Sequence, residues 1–306
     1  MLRFLAGRLF QSAFILLGVT IITFGLLYLI PVDPARMIAG RSATPQTVES
    51  IRHQLGLDRS IPVQYARYLG NLVQGDMGRS YVQKARVSEL IASRLPATLQ
   101  LMAAAIFFEL LIGLPAGIFA ATRRNRPSDK AVMVFSFVGV SAPQFVVGLL
   151  LIYVFAYQLE LFPLGGYGTI WHVVLPALTL GVTIAGWYSR MSRSSMVDVL
   201  RQDYIRTARA KGVTESRVVL VHGLRNAILP IVAMIGIDIG LYAQGIVVVE
   251  AVFGWPGIGQ LAWLAIQRID IPIIMGVTLV AAVGIVAGNL LADIATSLID
   301  PRVRHG

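Results

Sequence analysis

The chain has 306 residues, of which 56% are hydrophobic and only 14% charged, with a mean hydropathy of +0.71. That is too apolar for an ordinary soluble domain and fits a membrane protein with several spans. The net charge of +10 would suit a nucleic-acid binder if the arginines shared one soluble face, but they cluster between apolar runs, where membrane topology accounts for them, so nucleic acid is set aside as a partner. Cysteine is absent, which excludes disulfides and thiolate-based metal sites.

Arg3 and Arg8 precede an apolar run from Leu9 to Ile30. The run is longer than a secretory signal core, and no small-x-small cleavage site follows it, so it reads as a retained first span. Pro31, Asp33 and Pro34 end this helix, because proline lacks an N–H and disfavours helix before it. The segment from Val32 to Leu95 is polar and carries nine Lys and Arg residues. A loop longer than about sixty residues is exempt from the positive-inside bias, so it is expected outside, as a small helical lobe.

Further spans are expected over 97–121, 131–157, 173–188, 226–249 and 273–298. The connection Arg123 to Lys130 holds four basic residues, the connection Gln158 to His172 has no Lys or Arg, and the 190–225 segment holds eight. The basic connections belong inside. The expected class is therefore an all-α integral membrane protein with six transmembrane helices, N-in and C-in, and an extracytoplasmic lobe between the first two. Residues 1–30 form the cytoplasmic tip and first helix, 31–95 the lobe, 96–298 the core and 299–306 a cytoplasmic tail.

Within the basic 190–225 segment, Met196, Leu200, Tyr204 and Ala208 fall four apart, with Val197 and Ile205 one step on. That spacing predicts one helical stripe, with Asp198, Arg201, Gln202, Arg206 and Arg209 on the other face. Lys211 followed by Gly212 suits a helix end, and a second basic segment runs from Arg217 to Arg225. Such periodicity implies more order than a charged tether needs. Farther on, Val247 to Leu261 reads VVVEAVFGWPGIGQL. Gly254, Pro256, Gly257 and Gly259 interrupt any continuous helix, while Phe253, Trp255 and Ile258 suit a re-entrant or interfacial turn anchored by Trp255.

Lysine occurs only at Lys84, Lys130 and Lys211, never after glycine, so the chain has no P-loop. Asp238 and Asp293 lie in neighbouring apolar runs, as an intramembrane aspartyl protease would require. Asp238, however, sits in GIDIG without a Gly-x-Gly-Asp context, and Asp293 falls near the cytoplasmic end of its helix. An ion-coupled carrier or channel with Glu109, Asp238 and Asp293 as relay sites is the alternative. A carboxyl protonated or hydrogen-bonded at a helix interface is the favoured reading of Glu109 over substrate contact. Pro115, Pro143 and Pro176 are expected to interrupt the second to fourth spans, and Gly139, Ser141, Ala142, Gly181 and Gly186 to permit close helix crossings.

TARAKG, followed after nine further residues by HGLRNAILP, resembles the cytoplasmic EAA loop of bacterial ABC importer permeases. Ala208 and Gly212 match that pattern, whereas Arg206 and Thr207 depart from it, and Leu224-Arg225 stands where many families place proline. VVVEAVFGWPGIGQL, PVDPA, GDMGRS and the terminal IDPRVR resemble the dipeptide, oligopeptide and nickel subgroup. The resemblance covers the whole chain. It implies the permease subunit of an ATP-driven importer that moves dipeptides, oligopeptides or glutathione-like peptides by alternating access in the bacterial cytoplasmic (inner) membrane. It implies ATPase coupling at Tyr204, Arg206, Ala208, Ala210, Lys211, Gly212, Leu224 and Arg225. An extracytoplasmic gate or binding-protein contact is implied at Phe253, Trp255, Pro256, Gly257 and Gly259. The implied partners are a homologous second permease in a heterodimer, two ATPase subunits, a substrate-binding protein and the lipid bilayer. ATP and Mg would sit on the ATPases, with no cofactor, catalytic residue or metal in this chain. Four dispersed histidines and the lack of cysteine argue against a dedicated nickel site.

Overall fold

The computed structural model describes residues 2–29, 33–40 and 42–299. Pro31 and the tail 300–306 lie outside the described residues. Helix α1 (Leu2–Leu29) is followed by three short helices, α2 (Pro34–Ala39), α3 (Pro45–Leu55) and α4 (Ile61–Val73). Their boundaries follow from capping. The Asp33 carboxylate accepts from the Ala35 N–H at 3.0 Å and Thr44 Oγ1 from the Thr47 N–H at 3.3 Å, each just ahead of a proline in the first turn. Gly56, in the left-handed conformation, closes α3. These three helices make up the lobe.

The lobe is fastened at two points. Phe24 of α1 packs against Tyr65 and Tyr68 of α4, with ring centroids 5.2 and 5.7 Å apart. At the other end, Ser80 Oγ donates to the Asp270 carboxylate, which also accepts the backbone N–H groups of Tyr81 at 3.1 Å and Val82 at 3.2 Å. Asp270 is 1% exposed, so these donors replace the water it has lost. The Tyr81 hydroxyl beside it is pushed up to about 12, by burial first and then by the Asp270 charge.

The core is built on α5 (Val87–Thr122), α6 (Pro127–Ser141), α7 (Gln144–Leu151) and α8 (Ile170–Val199). Helices cross α8 closely where its glycines face them. A Cβ on Gly181 would lie 2.5 Å from Phe108 Cβ, and one on Gly186 would lie 2.3 Å from the Ser136 carbonyl oxygen. Beyond α8 come α9 (Asp203–Ala210), α10 (Glu215–Arg217), a π-helical stretch from Val218 to Gly223, α11 (Leu224–Ala227) and α12 (Leu229–Ala243). Helices α13 (Val247–Phe253), α14 (Ile258–Gln267) and α15 (Ile271–Ile299) complete the chain.

Three helices, Val87–Thr122, Ile170–Val199 and Ile271–Leu298, are long and apolar enough to cross a bilayer. Three bent pairs add to them: Pro127–Ser141 with Gln144–Gln158 at 100°, Glu215–Ala227 with Leu229–Ala243 at 52°, and Val247–Phe253 with Ile258–Gln267 at 93°, giving up to six crossings if each pair counts as one. Helix α1 contributes an apolar window from Phe10 to Gly25. Large apolar side chains face outward, Phe107 at 59% and Phe135 at 76% exposed among them, as a lipid-facing surface requires.

Several expected edges move. Pro115 and Pro176 lie inside continuous helices, and only Pro143 stands at a break, because it precedes α7 as its N-cap. Helix α5 begins at Val87 rather than Ala97, and α8 runs on to Val199 rather than ending at Tyr188. The helical run leading into the fifth crossing starts at Glu215 rather than Asn226, with Arg217 and Arg225 exposed on one side and Val218 and Val219 buried on the other.

Candidate functional site

The basic elbow between α8 and α12 is the first candidate. The stripe read from the sequence as one helix is split: α8 ends at Val199, residues Leu200 to Gln202 turn, and α9 restarts at Asp203. Ile205 is fully buried and Ala208 is 9% exposed; both pack on Val218, Leu200 and Val213. Ala208 therefore belongs to the inner face of α9, not to a surface a partner could touch. Tyr204, Arg206, Ala210, Lys211, Gly212 and Arg225 are exposed, and Leu224 is half-buried, in the cluster that holds Met196.

Gly212 has φ of +75°, a left-handed conformation that glycine adopts without strain. Its N–H donates to the Arg209 carbonyl at 2.9 Å, and that of Val213 to the Ala208 carbonyl at 3.2 Å, closing α9. Arg209 then clamps Glu215 through two bonds of 3.0 and 2.6 Å, which holds the Glu215 carboxyl below its ordinary value and raises the guanidinium. Asn226 Nδ2 donates to the Tyr204 hydroxyl at 2.8 Å. The elbow is thus a short, internally braced helix with a polar, basic outer face.

The hairpin of α13 and α14 is built in the opposite manner. Glu250 is fully buried and accepts from the Gln260 N–H at 2.7 Å, the Ile246 N–H at 3.3 Å and Thr98 Oγ1 at 3.3 Å. Thr98 Oγ1 in turn accepts from the Ile258 N–H at 2.8 Å. Trp255, also fully buried, donates from Nε1 to the Ala97 carbonyl at 2.9 Å and meets the Tyr167 ring edge-on at 4.9 Å. A Cβ on Gly257 would fall 2.3 Å from Glu250 Oε1. The expected break in the helix is present, but Trp255 is not an interfacial anchor. Phe253, Trp255, Gly257 and Gly259 lie inside, with Pro256 half-buried, because the broken segment frees N–H groups that the interior Glu250 and Thr98 side chains satisfy. Glu250 and Thr98 were not singled out in the sequence. A lone glutamate inside VVVEAVF, just ahead of a glycine-rich break, was the signal.

The intramembrane acids are separately partnered. Glu109, on α5 and fully buried, accepts from the Tyr242 hydroxyl of α12. Asp238, on α12, accepts from the buried Tyr188 hydroxyl of α8. This knot joins three helices and fits the helix-interface reading of Glu109. Asp293 instead pairs with Arg8 at 3.0 Å, so Asp238 and Asp293 do not form a protease-like couple, nor do the three acids form one relay. In the first turn of α6, Asp129 is 2% exposed and takes Arg193 through bonds of 2.5 and 2.7 Å. Among the described residues no group of three or more His, Asp or Glu could hold a metal ion.

An apolar helical bundle with a broken, inward-tucked hairpin and a braced basic elbow defines a membrane permease, whose work is movement rather than bond chemistry. The chain belongs to the family of binding-protein-dependent transport system inner membrane components, whose model matches residues 113–305, with the N-terminal model of the same family matching 1–102. It is an ABC importer permease subunit. Glutathione transport system permease protein GsiC of Salmonella paratyphi A and of Escherichia coli K12 are each 42% identical over 305 residues, covering 100% of both chains. In solved structures, a chain of the MetNI methionine ABC transporter in inward-facing conformations matches 70% of this chain and 96% of its own, at 20% identity and a TM-score of 0.55. A second crystal form gives 21% and 0.51. At that identity the likeness concerns the fold.

Proposed function

We propose that this chain is the permease subunit of an ATP-driven importer of small peptides, of the dipeptide, oligopeptide or glutathione kind, in the bacterial inner membrane. The observation that carries the reading is the full-length similarity to glutathione permeases. Six crossings with both termini inside follow if α1 counts as a span and the hairpin α13–α14, bent by 93°, as a re-entrant turn. A homologous second permease completes the path, two ATPase subunits carrying ATP and Mg dock below, and a substrate-binding protein delivers peptide from outside.

In this reading the exposed face of α9, with Tyr204, Arg206, Ala210 and Lys211, seats in the ATPase subunit. Ala208 and Ile205 pass its displacement to Val218 and so to α12. Leu224 and Arg225 lie on α11, between Val218 and α12. The hairpin acts as an outer gate through packing, as its buried Trp255 and Phe253 offer no surface to a binding protein. At the turn itself, Gly254 is exposed and Pro256 half-buried.

The test is copurification with the C-terminally tagged chain in detergent, followed by transport and ATPase assays on Gly212→Pro and Gly212→Asp. Both substitutions oppose a φ of +75°, and proline also deletes the N–H that bonds Arg209. A P-loop ATPase should copurify with the wild-type chain and be lost from the variants, with membrane insertion intact. Full transport by Gly212→Pro would overturn the docking assignment.

A further inference from the structure

Nine basic residues fall between Val32 and Leu95, and the importer reading gives the lobe's cations no role. Four of them, Arg59, Arg67, Arg79 and Lys84, line one cavity of about 550 Å³. Among the described residues none of the four is ion-paired, whereas Arg52 is held by Asp33 and Glu49. The acidic group in the lining is Asp76, whose carboxylate caps the Gly78 N–H at 2.9 Å. Asp58, next to Arg59, is occupied by His53 at 2.8 Å. The cavity lining thus carries a surplus of three positive charges.

Its floor is of a different nature. Phe24 of α1 and Met275 of α15 line it with Tyr68 and Tyr81, and all four belong to one apolar cluster with Ile271. Phe24 and Met275 sit one to two turns inside the outer ends of their helices, about 6 to 8 Å below the surface at 1.5 Å per residue. Cations above and apolar wall below, at the depth of the headgroup and acyl boundary, match an amphiphile with an anionic head.

We propose that this cavity binds an anionic phospholipid of the outer leaflet, the phosphodiester held by Arg59, Arg67, Arg79 and Lys84 and the upper acyl chain laid against Phe24 and Met275. A bound lipid would offset one of the three surplus charges and fasten the lobe to the membrane surface. Placement in the outer leaflet rests on the lobe facing outside, as in the importer reading; the lipid selectivity itself does not.

The experiment is native mass spectrometry of the full-length purified chain titrated with palmitoyl-oleoyl phosphatidylglycerol, with the matching phosphatidylcholine, and with glycerol 3-phosphate. Wild type should retain one phosphatidylglycerol at least tenfold more tightly than phosphatidylcholine, with glycerol 3-phosphate not competing at equal concentration. Replacing the four cations by glutamine should erase the preference, each charge contributing roughly fivefold, whereas Arg201→Gln with Arg217→Gln on the elbow side should leave it unchanged. Asp76→Asn keeps an acceptor for the Gly78 N–H and should tighten binding by about the same fivefold, so the idea remains testable if the quadruple variant does not purify. Equal retention of both lipids by wild type, a preference that survives the quadruple change, weaker binding by Asp76→Asn, or competition by glycerol 3-phosphate would each overturn it. Ala66→Cys, the only thiol in an otherwise cysteine-free chain, should react with an impermeant maleimide added to intact cells. Labelling from inside alone would refute the outer placement without touching the selectivity result.

Discussion

In the hairpin Val247–Gln267, Val249, Glu250, Phe253, Trp255, Gly257, Ile258 and Gly259 all turn inward, and the Glu250 carboxylate and Trp255 indole N–H both have partners. On α9 only Ile205 and Ala208 do so, and the remaining side chains face outward. Both segments are short helices at sharp corners, and both carry a glycine with positive φ, Gly254 at 62° and Gly212 at 75°. The contrast shows where substitution is felt. In the hairpin the interior dictates residue identity and a change acts on the fold, whereas on the elbow a change acts on what the surface meets.

The largest effect belongs to Gly257→Val, whose Cβ would overlap the Glu250 carboxylate. Folded protein should be lost, read as disappearance of the monodisperse peak in size-exclusion chromatography. Trp255→Ala should cost about 3 to 5 kcal/mol in a denaturation experiment, while Trp255→Phe, which forfeits chiefly the bond to the Ala97 carbonyl, should cost about 1 kcal/mol. Wild-type stability in Trp255→Ala would break the contrast at its buried end. At the other end, Ala208→Leu should destabilise by about 1 to 3 kcal/mol against Val218. Arg206→Ala should shift stability by less than about 0.5 kcal/mol yet uncouple ATP hydrolysis from transport. If the two exchanged behaviours, the orientation of α9 would be wrong.

Glu109→Gln sharpens the contrast from the middle of the bundle. Glutamine still accepts from Tyr242, so uptake should stay within a few-fold of wild type, whereas a relay would lose activity by orders of magnitude. The smallest effect lies in the Arg209–Glu215 clamp. Glu215 is held below its ordinary 4.5, so its contribution is complete above that value and disappears as pH falls through the lower, folded one. Both side chains are exposed, at 41% and 62%, and the loss should be no more than about 0.5 kcal/mol. Glu215→Gln should flatten that part of the stability profile.

Much of the molecule was legible in its sequence because apolar run length and glycine or proline breaks act locally. The end of the first helix is marked by Asp33 and Pro34, and the hairpin by Gly254 to Gly259. What stayed hidden depends on distant partners. Nothing near Glu250 in the sequence names Thr98, and nothing near Glu109 names Tyr242. The four-residue spacing from Met196 to Ala208 also misled, because a turn at Leu200 to Gln202 preserves the spacing while redirecting the axis. The pairing of Asp293 with Arg8 was likewise beyond reach, the two being separated by 285 positions.

The Asp270 clasp has a consequence in time. Ser80 and Asp270 lie 190 positions apart, so at a synthesis rate of about 5 to 20 residues per second the lobe is complete roughly 10 to 40 s before its anchor exists. Through that interval Ser80, Tyr81 and Val82 have water in place of a carboxylate, and the end of the lobe is held only by its own three helices and the rings of α1. The nascent chain thus has an early window of vulnerability to proteolysis that closes when α15 is made.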